Sequence, residues 1–141
     1  MSSSTQRFEF KIPCQSKAIS KFLEEAFAIL DRKNHEVENL NFKFELAARE
    51  MLANAIEHGC AEARKKRNDL SNLEIFIVLE IRKEEIVFSV KDCGNGFKWK
   101  DYDLNTMPCF EEKGRGLKMI NNVVDHIEFN KVGNKITVYF Y

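Results

Sequence analysis

Apolar and charged residues alternate at Phe8, Glu9, Phe10, Lys11 and Ile12, and Pro13 ends the alternation. A period of two puts the apolar set on one side of an extended chain, so the stretch predicts a half-buried strand. The period then changes. Ser16 is a candidate cap, and Ile19, Phe22, Leu23, Ala26, Phe27 and Leu30 fall on one helical stripe. Residues 31–41 are polar and read as a connector. A second helix is expected over about 42–59, with Phe44, Ala47, Ala48, Met51, Leu52, Ala55 and Ile56 as its apolar part and Gly59 as its stop.

The next twelve residues, AEARKKRNDLSN, read as solvated. Alternation returns at LEIFIVLEIR, residues 73–82, and at EIVFSVKD, residues 85–92. The short link between these two runs predicts a hairpin. Residues 93–113 show no period and read as a long loop, a kind of segment that often carries function. A third helix is expected to begin near Gly116, with Leu117, Ile120, Val123 and Val124 on one side. HIEFNKV and KITVYFY flank Gly133-Asn134, a second hairpin signal. The sum predicts an α+β fold, a two-layer α/β sandwich. Its mixed, mainly antiparallel sheet would carry helices on one face.

Composition narrows the class. The 141 residues suit one domain, and 44% hydrophobic residues with twelve Phe can fill a core. We expect a single domain over 1–141, with a disordered start at 1–6. Lys plus Arg and Asp plus Glu both number 22, which argues against direct nucleic-acid binding, since that needs a basic footprint. The polar start MSSSTQ lacks the apolar core of a signal peptide, and no apolar run is long enough to span a bilayer. A cytoplasmic location with no membrane partner is expected. Cys14, Cys60, Cys93 and Cys109 are scattered, so they read as reduced thiols rather than a disulfide framework or a zinc site.

Three stretches carry candidate chemistry. In REMLANAIEHGC, residues 49–60, Glu50, Asn54 and His58 recur every fourth position and share a helix face. A solvated face explains any one of them. Together they suggest an Asn oxygen for Mg²⁺, a hard cation, and a Glu able to accept a proton near it. In VKDCGNGF, Asp92 ends a strand and is followed by Gly94 and Gly96. The carboxylate can accept from an exocyclic amine and the glycines allow close approach, although an ordinary turn would read the same way. In KGRGLKMI, Gly114 and Gly116 precede a helix, with Lys113 and Arg115 beside them. Free amides at a helix start suit phosphate, although a plain glycine-rich helix start would look alike.

In this order, EMLANAIEHG, DCGNGF and GRGL resemble the N box and two glycine boxes of the GHKL (Bergerat-fold) ATPase superfamily. Within it the chain is similar to the anti-sigma-factor serine/threonine-protein kinases, the RsbW/SpoIIAB-like group. The likeness covers nearly the whole chain. It implies ATP and Mg²⁺ as cofactors, Asn54 as the metal ligand and Glu50 as the general base. His58 and Gly59 would close the N box, and Asp92 would accept from the adenine amine, with Gly94 and Gly96 shaping the pocket. Gly114, Arg115, Gly116 and Leu117 would lie at the phosphates, with Lys113 or Arg115 meeting the γ-phosphate. Residues of about 98–113 would form an ATP lid.

The implied activity is phosphorylation of a STAS-type antagonist in a partner-switching pathway. A sigma factor or similar target would be the other partner, and a homodimer the working form. Two other readings compete: a non-catalytic ATP-binding module, and a histidine-kinase-type ATPase domain. The latter needs an acceptor His on a helical segment, and the helix expected before the N box has none.

Overall fold

The computed structural model describes residues 5–33, 35–61, 63, 73–94 and 112–141, with side chains in the last stretch from 116 onward. Five strands and three α-helices alternate along it. They are β1 (Gln6–Pro13), α1 (Lys17–Lys33), α2 (Leu40–Asn54), β2 (Glu74–Ile81), β3 (Ile86–Lys91), α3 (Glu112–Val123), β4 (His126–Phe129) and β5 (Lys135–Phe140). A π-helical segment, Ala55–Cys60, continues α2.

The sheet order is β1-β2-β3-β5-β4. All four pairings are antiparallel, so the expected mixed sheet is antiparallel throughout the described strands. In this register Phe8, Phe10 and Ile12 lie opposite Leu79, Ile77 and Ile75. The period-two apolar sets therefore share one face, and the helices cover it. Both amphipathic sets are buried in a two-layer α+β fold.

Aromatic side chains join the layers. Phe22 of α1 and Phe44 of α2 both meet Phe88 of β3, with ring centroids 5.9 and 5.0 Å apart. Phe140 of β5 closes the group on Phe44, and all four rings are buried. The Phe44–Phe88 pair is edge-to-face and the Phe22–Phe88 pair stacked, arrangements that add about 0.5–1.5 kcal/mol each beyond area burial.

Several boundaries differ from the sequence expectation. Of residues 1–6, Gln6 opens β1 and 1–4 lie outside the described residues. α2 begins at Leu40, after Asn39 in the left-handed region (φ 52°), a conformation Asn tolerates better than most residues. α3 begins at Glu112, four residues before Gly116. Each glycine costs a helix about 1 kcal/mol relative to Ala, which makes GRG look like a breaker. Packing of α3 on α2 offsets that cost. The reduced-thiol expectation fails at Cys14 and Cys60, which form a disulfide. Their partnership is tertiary, across 46 positions, and no local spacing signals it. No described helix is long and apolar enough to cross a membrane.

Candidate functional site

The site lies where the end of α2, the turn after β3, the start of α3 and the β4–β5 hairpin meet. Glu50 and Asn54 occupy the last turns of α2, one helical turn apart. Both face α3. A Cβ built on Gly116 would stand 2.9 Å from Glu50 Oε2 and 3.4 Å from both polar atoms of the Asn54 side chain. A glycine here leaves room for the acid and the amide to lie against the face of α3. Gly116 is the fifth residue of α3, so the amides of Gly114 and Arg115 fall in its first turn, where N–H groups have no intrahelical acceptor. Leu117 is buried and anchors the helix beside them.

His58 lies four residues beyond Asn54, inside the π-helical segment that begins just after it. Single π turns of this sort are frequent at functional sites. Glu50 and Asn54 face Gly116, and His58 lines a cavity that Asn54 also lines. His58 Nε2 is buried and has no hydrogen-bond partner among the described residues. A buried imidazole nitrogen without a partner is costly, and a polar ligand in the cavity would satisfy it.

Asp92 stands on the opposite wall of this cavity, just past the end of β3. Its Oδ1 accepts from the Gly94 amide at 2.7 Å, which curls the chain. Its carboxylate fills the space that a side chain on Gly59 would take, and a Cβ on Gly94 would stand 2.8 Å from Gly59 Cα. The HG end of the π-helical segment and the DCG turn thus interlock through two glycines. The cavity has about 50 Å³ of space, room for a few waters.

The fourth wall carries residues that the sequence reading missed. Phe129, Gly133, Asn134, Lys135 and Ile136 line the cavity from the β4–β5 hairpin. Asn130 organises this hairpin. Its Oδ1 accepts from the amides of Gly133, Asn134 and Lys135, at 2.8, 3.0 and 3.1 Å. Its Nδ2 donates to Asn134 Oδ1 at 2.6 Å. Asn134 in turn donates through Nδ2 to the Gly94 carbonyl, and its own carbonyl accepts from the Asp92 amide. Gly133 takes φ 82°, as the turn requires. The Asn-x-x-Gly-Asn spacing was visible in the sequence, but it reads as turn chemistry alone.

Gly96 lies outside the described residues, as does the lid expected over about 98–113 up to residue 111; residues 112–113 open α3. For Lys113, Gly114 and Arg115 the backbone is helical and the side chains lie outside the described set. Among the described residues no cluster of three or more His, Cys, Asp or Glu suits a metal. A Mg²⁺ ion that keeps its waters and phosphate ligands needs only one or two protein oxygens, and Asn54 can offer one.

In comparison with protein families, the profile described as histidine kinase-like ATPase domain matches residues 12–140. Comparison with curated proteins finds no match. All three chemical stretches fall inside the matched range, and so does every strand from Ile12 of β1 onward.

Proposed function

The chain belongs to the histidine kinase-like ATPase domain family of the GHKL superfamily, and from that footing we propose that it is an ATP- and Mg²⁺-dependent protein serine/threonine kinase. Its substrate would be a STAS-type antagonist in a partner-switching pathway, and its other partner a sigma factor or similar target. A homodimer would be the working form.

The observation that carries this reading is the contact of Gly116 with Glu50 and Asn54 across α2 and α3. It sets an acid and an amide against the first turn of a helix whose free amides suit phosphate. Asp92 accepts from the amine of the base, and Asn134 and Gly94 hold the turn that aims it. His58 Nε2 faces the same cavity and can meet a ring atom of the base. Asn54 offers Oδ1 to Mg²⁺, and Glu50 takes the proton from the attacking hydroxyl. Bound Mg²⁺ supplies charge neutralisation at the phosphates. A helix suits the paired roles because it fixes base and metal ligand within one turn, and phosphoryl transfer depends mainly on positioning. Presence of an acid beside the amide favours a catalyst over a pure binding module, which needs no proton acceptor.

Two measurements test it. Calorimetric titration of ATP with Mg²⁺ should show binding that EDTA weakens and Asn54→Ala abolishes or reduces. Transfer of labelled γ-phosphate to a STAS-type antagonist should be lost in Glu50→Gln while ATP binding is kept. Equal labelling by wild type and Glu50→Gln would remove Glu50 from the role of base, and ATP binding without any transfer would favour the regulatory module.

A further inference from the structure

Cys14 directly follows β1, and Cys60 ends the π-helical segment. They are joined by a disulfide with Cα atoms 6.1 Å apart. Both residues are buried, at 3% and 0% exposure. The Cys14 amide also donates to the Leu73 carbonyl, at the entry to β2. The bond therefore ties the end of the π-helical segment to the edge of the sheet.

The residue before Cys60 is Gly59, the one that meets Asp92 and Gly94. Those contacts leave no slack, since a single added carbon at either glycine would clash. A displacement of the segment's end is therefore felt at the turn that aims Asp92. We propose that the Cys14–Cys60 bond is a redox switch on nucleotide affinity. The bonded form holds the base-recognition turn against the π-helical segment and binds ATP tightly. The dithiol form releases the segment and binds ATP weakly. This rests on the reading of the cavity as a nucleotide site.

The oxidant is a low-molecular-weight disulfide of the glutathione class. One cysteine thiolate attacks a sulfur of the small disulfide, whose S–S bond breaks, and a mixed disulfide forms as the first small thiol leaves. The second cysteine thiolate attacks the protein-side sulfur, closes the Cys14–Cys60 bond and expels the second small thiol. The two protein thiols lose two electrons, the small disulfide gains them, and both protons end on the released thiols. Excess small thiol reverses the sequence. Because both sulfurs are buried, exchange passes through local opening and is slow. Cys93 is exposed and donates through its sulfur to the Glu74 carbonyl, so it stands outside the pair and serves as a control.

The test is ATP calorimetry on the whole chain in two preparations, one with the disulfide and one equilibrated with excess reduced glutathione. Thiol titration in denaturant assigns each state, and circular dichroism checks folding. The expected result is about tenfold weaker binding by the dithiol form, within the usual span of coupling between linked sites. The double variant Cys14→Ser, Cys60→Ser should bind like the dithiol form under either condition, and Cys93→Ser should still respond. Equal affinity in both folded states overturns the switch and leaves the nucleotide site standing. A dithiol form that is unfolded also overturns it, since the bond would then be a staple for the whole fold. Absence of ATP binding in both states removes the nucleotide reading itself.

Discussion

Gly59 lies in the π-helical segment and Gly116 in α3, and a Cβ at each would meet a different neighbour. At Gly59 the space for a Cβ is filled by the Asp92 carboxylate, which cannot withdraw without unmaking its bond to the Gly94 amide. Gly59→Ala is expected to cost about 1–3 kcal/mol of stability, the usual penalty for overpacking. It should also weaken ATP binding, as read by urea melts and calorimetry. At Gly116 the near atom is the far end of the Glu50 side chain, which can swing aside. Gly116→Ala should therefore leave the fold and base recognition close to wild type. On the proposed mechanism phosphoryl transfer should fall by about a hundredfold, because the displaced acid is the proposed proton acceptor. A matched loss of binding and transfer in both variants would mean that the two glycines serve one wall and not two.

The β4–β5 hairpin shows the same economy at the scale of an element. One amide oxygen, that of Asn130, accepts from three successive backbone N–H groups. Asn130→Ala leaves those donors to water or to each other. An expected loss of about 1–2 kcal/mol follows from the modest net worth of hydrogen bonds in a half-exposed turn. Since Asn134 reaches from this hairpin to Gly94, ATP affinity should fall as well, and a hairpin variant that destabilises without touching affinity would break that link. Elements of this kind were only partly legible in the sequence. The strands were, because one-sided burial writes a period of two. The Gly133-Asn134 turn was, because a positive φ demands such residues. The π-helical turn was not, since Ala-Ile-Glu-His has the composition of any helix. The role of Asn130 and Asn134 at the cavity depends on β5 lying beside β3, a pairing that hairpin signals alone do not reveal.

At the scale of the molecule, the sheet face away from the helices carries a titratable cluster. Tyr139 donates to Glu128, and His126 packs against both. Burial, then the bond to Glu128, pushes the Tyr139 phenol above its ordinary range. The folded state thus keeps this proton after the unfolded chain has lost it. The contribution is complete below about pH 10, where the free phenol titrates, and is lost as pH rises through the higher folded value. Urea midpoints should fall on the alkaline side of pH 10, and Tyr139→Phe should shallow that fall while leaving the neutral range nearly unchanged. An identical alkaline limb in the variant would assign the effect to other groups.

The strand order has a consequence for how the chain is made. β3 is the middle strand of the sheet, yet one of its two neighbours, β5, is made after the other four described strands. β1, the first strand, must wait for β2, with Gln6 facing Ile81. As the polypeptide leaves the ribosome, β3 emerges with one edge bare, and Phe88 and Phe44 lack the ring of Phe140 that completes their cluster. The nascent chain therefore passes through a stage with an open hydrophobic edge, the kind of surface that chaperones hold and that other strands can invade. Until β5 arrives to seal the sheet, the hairpin wall of the cavity is missing too, so the capacity to hold a nucleotide appears only after β5 has been made.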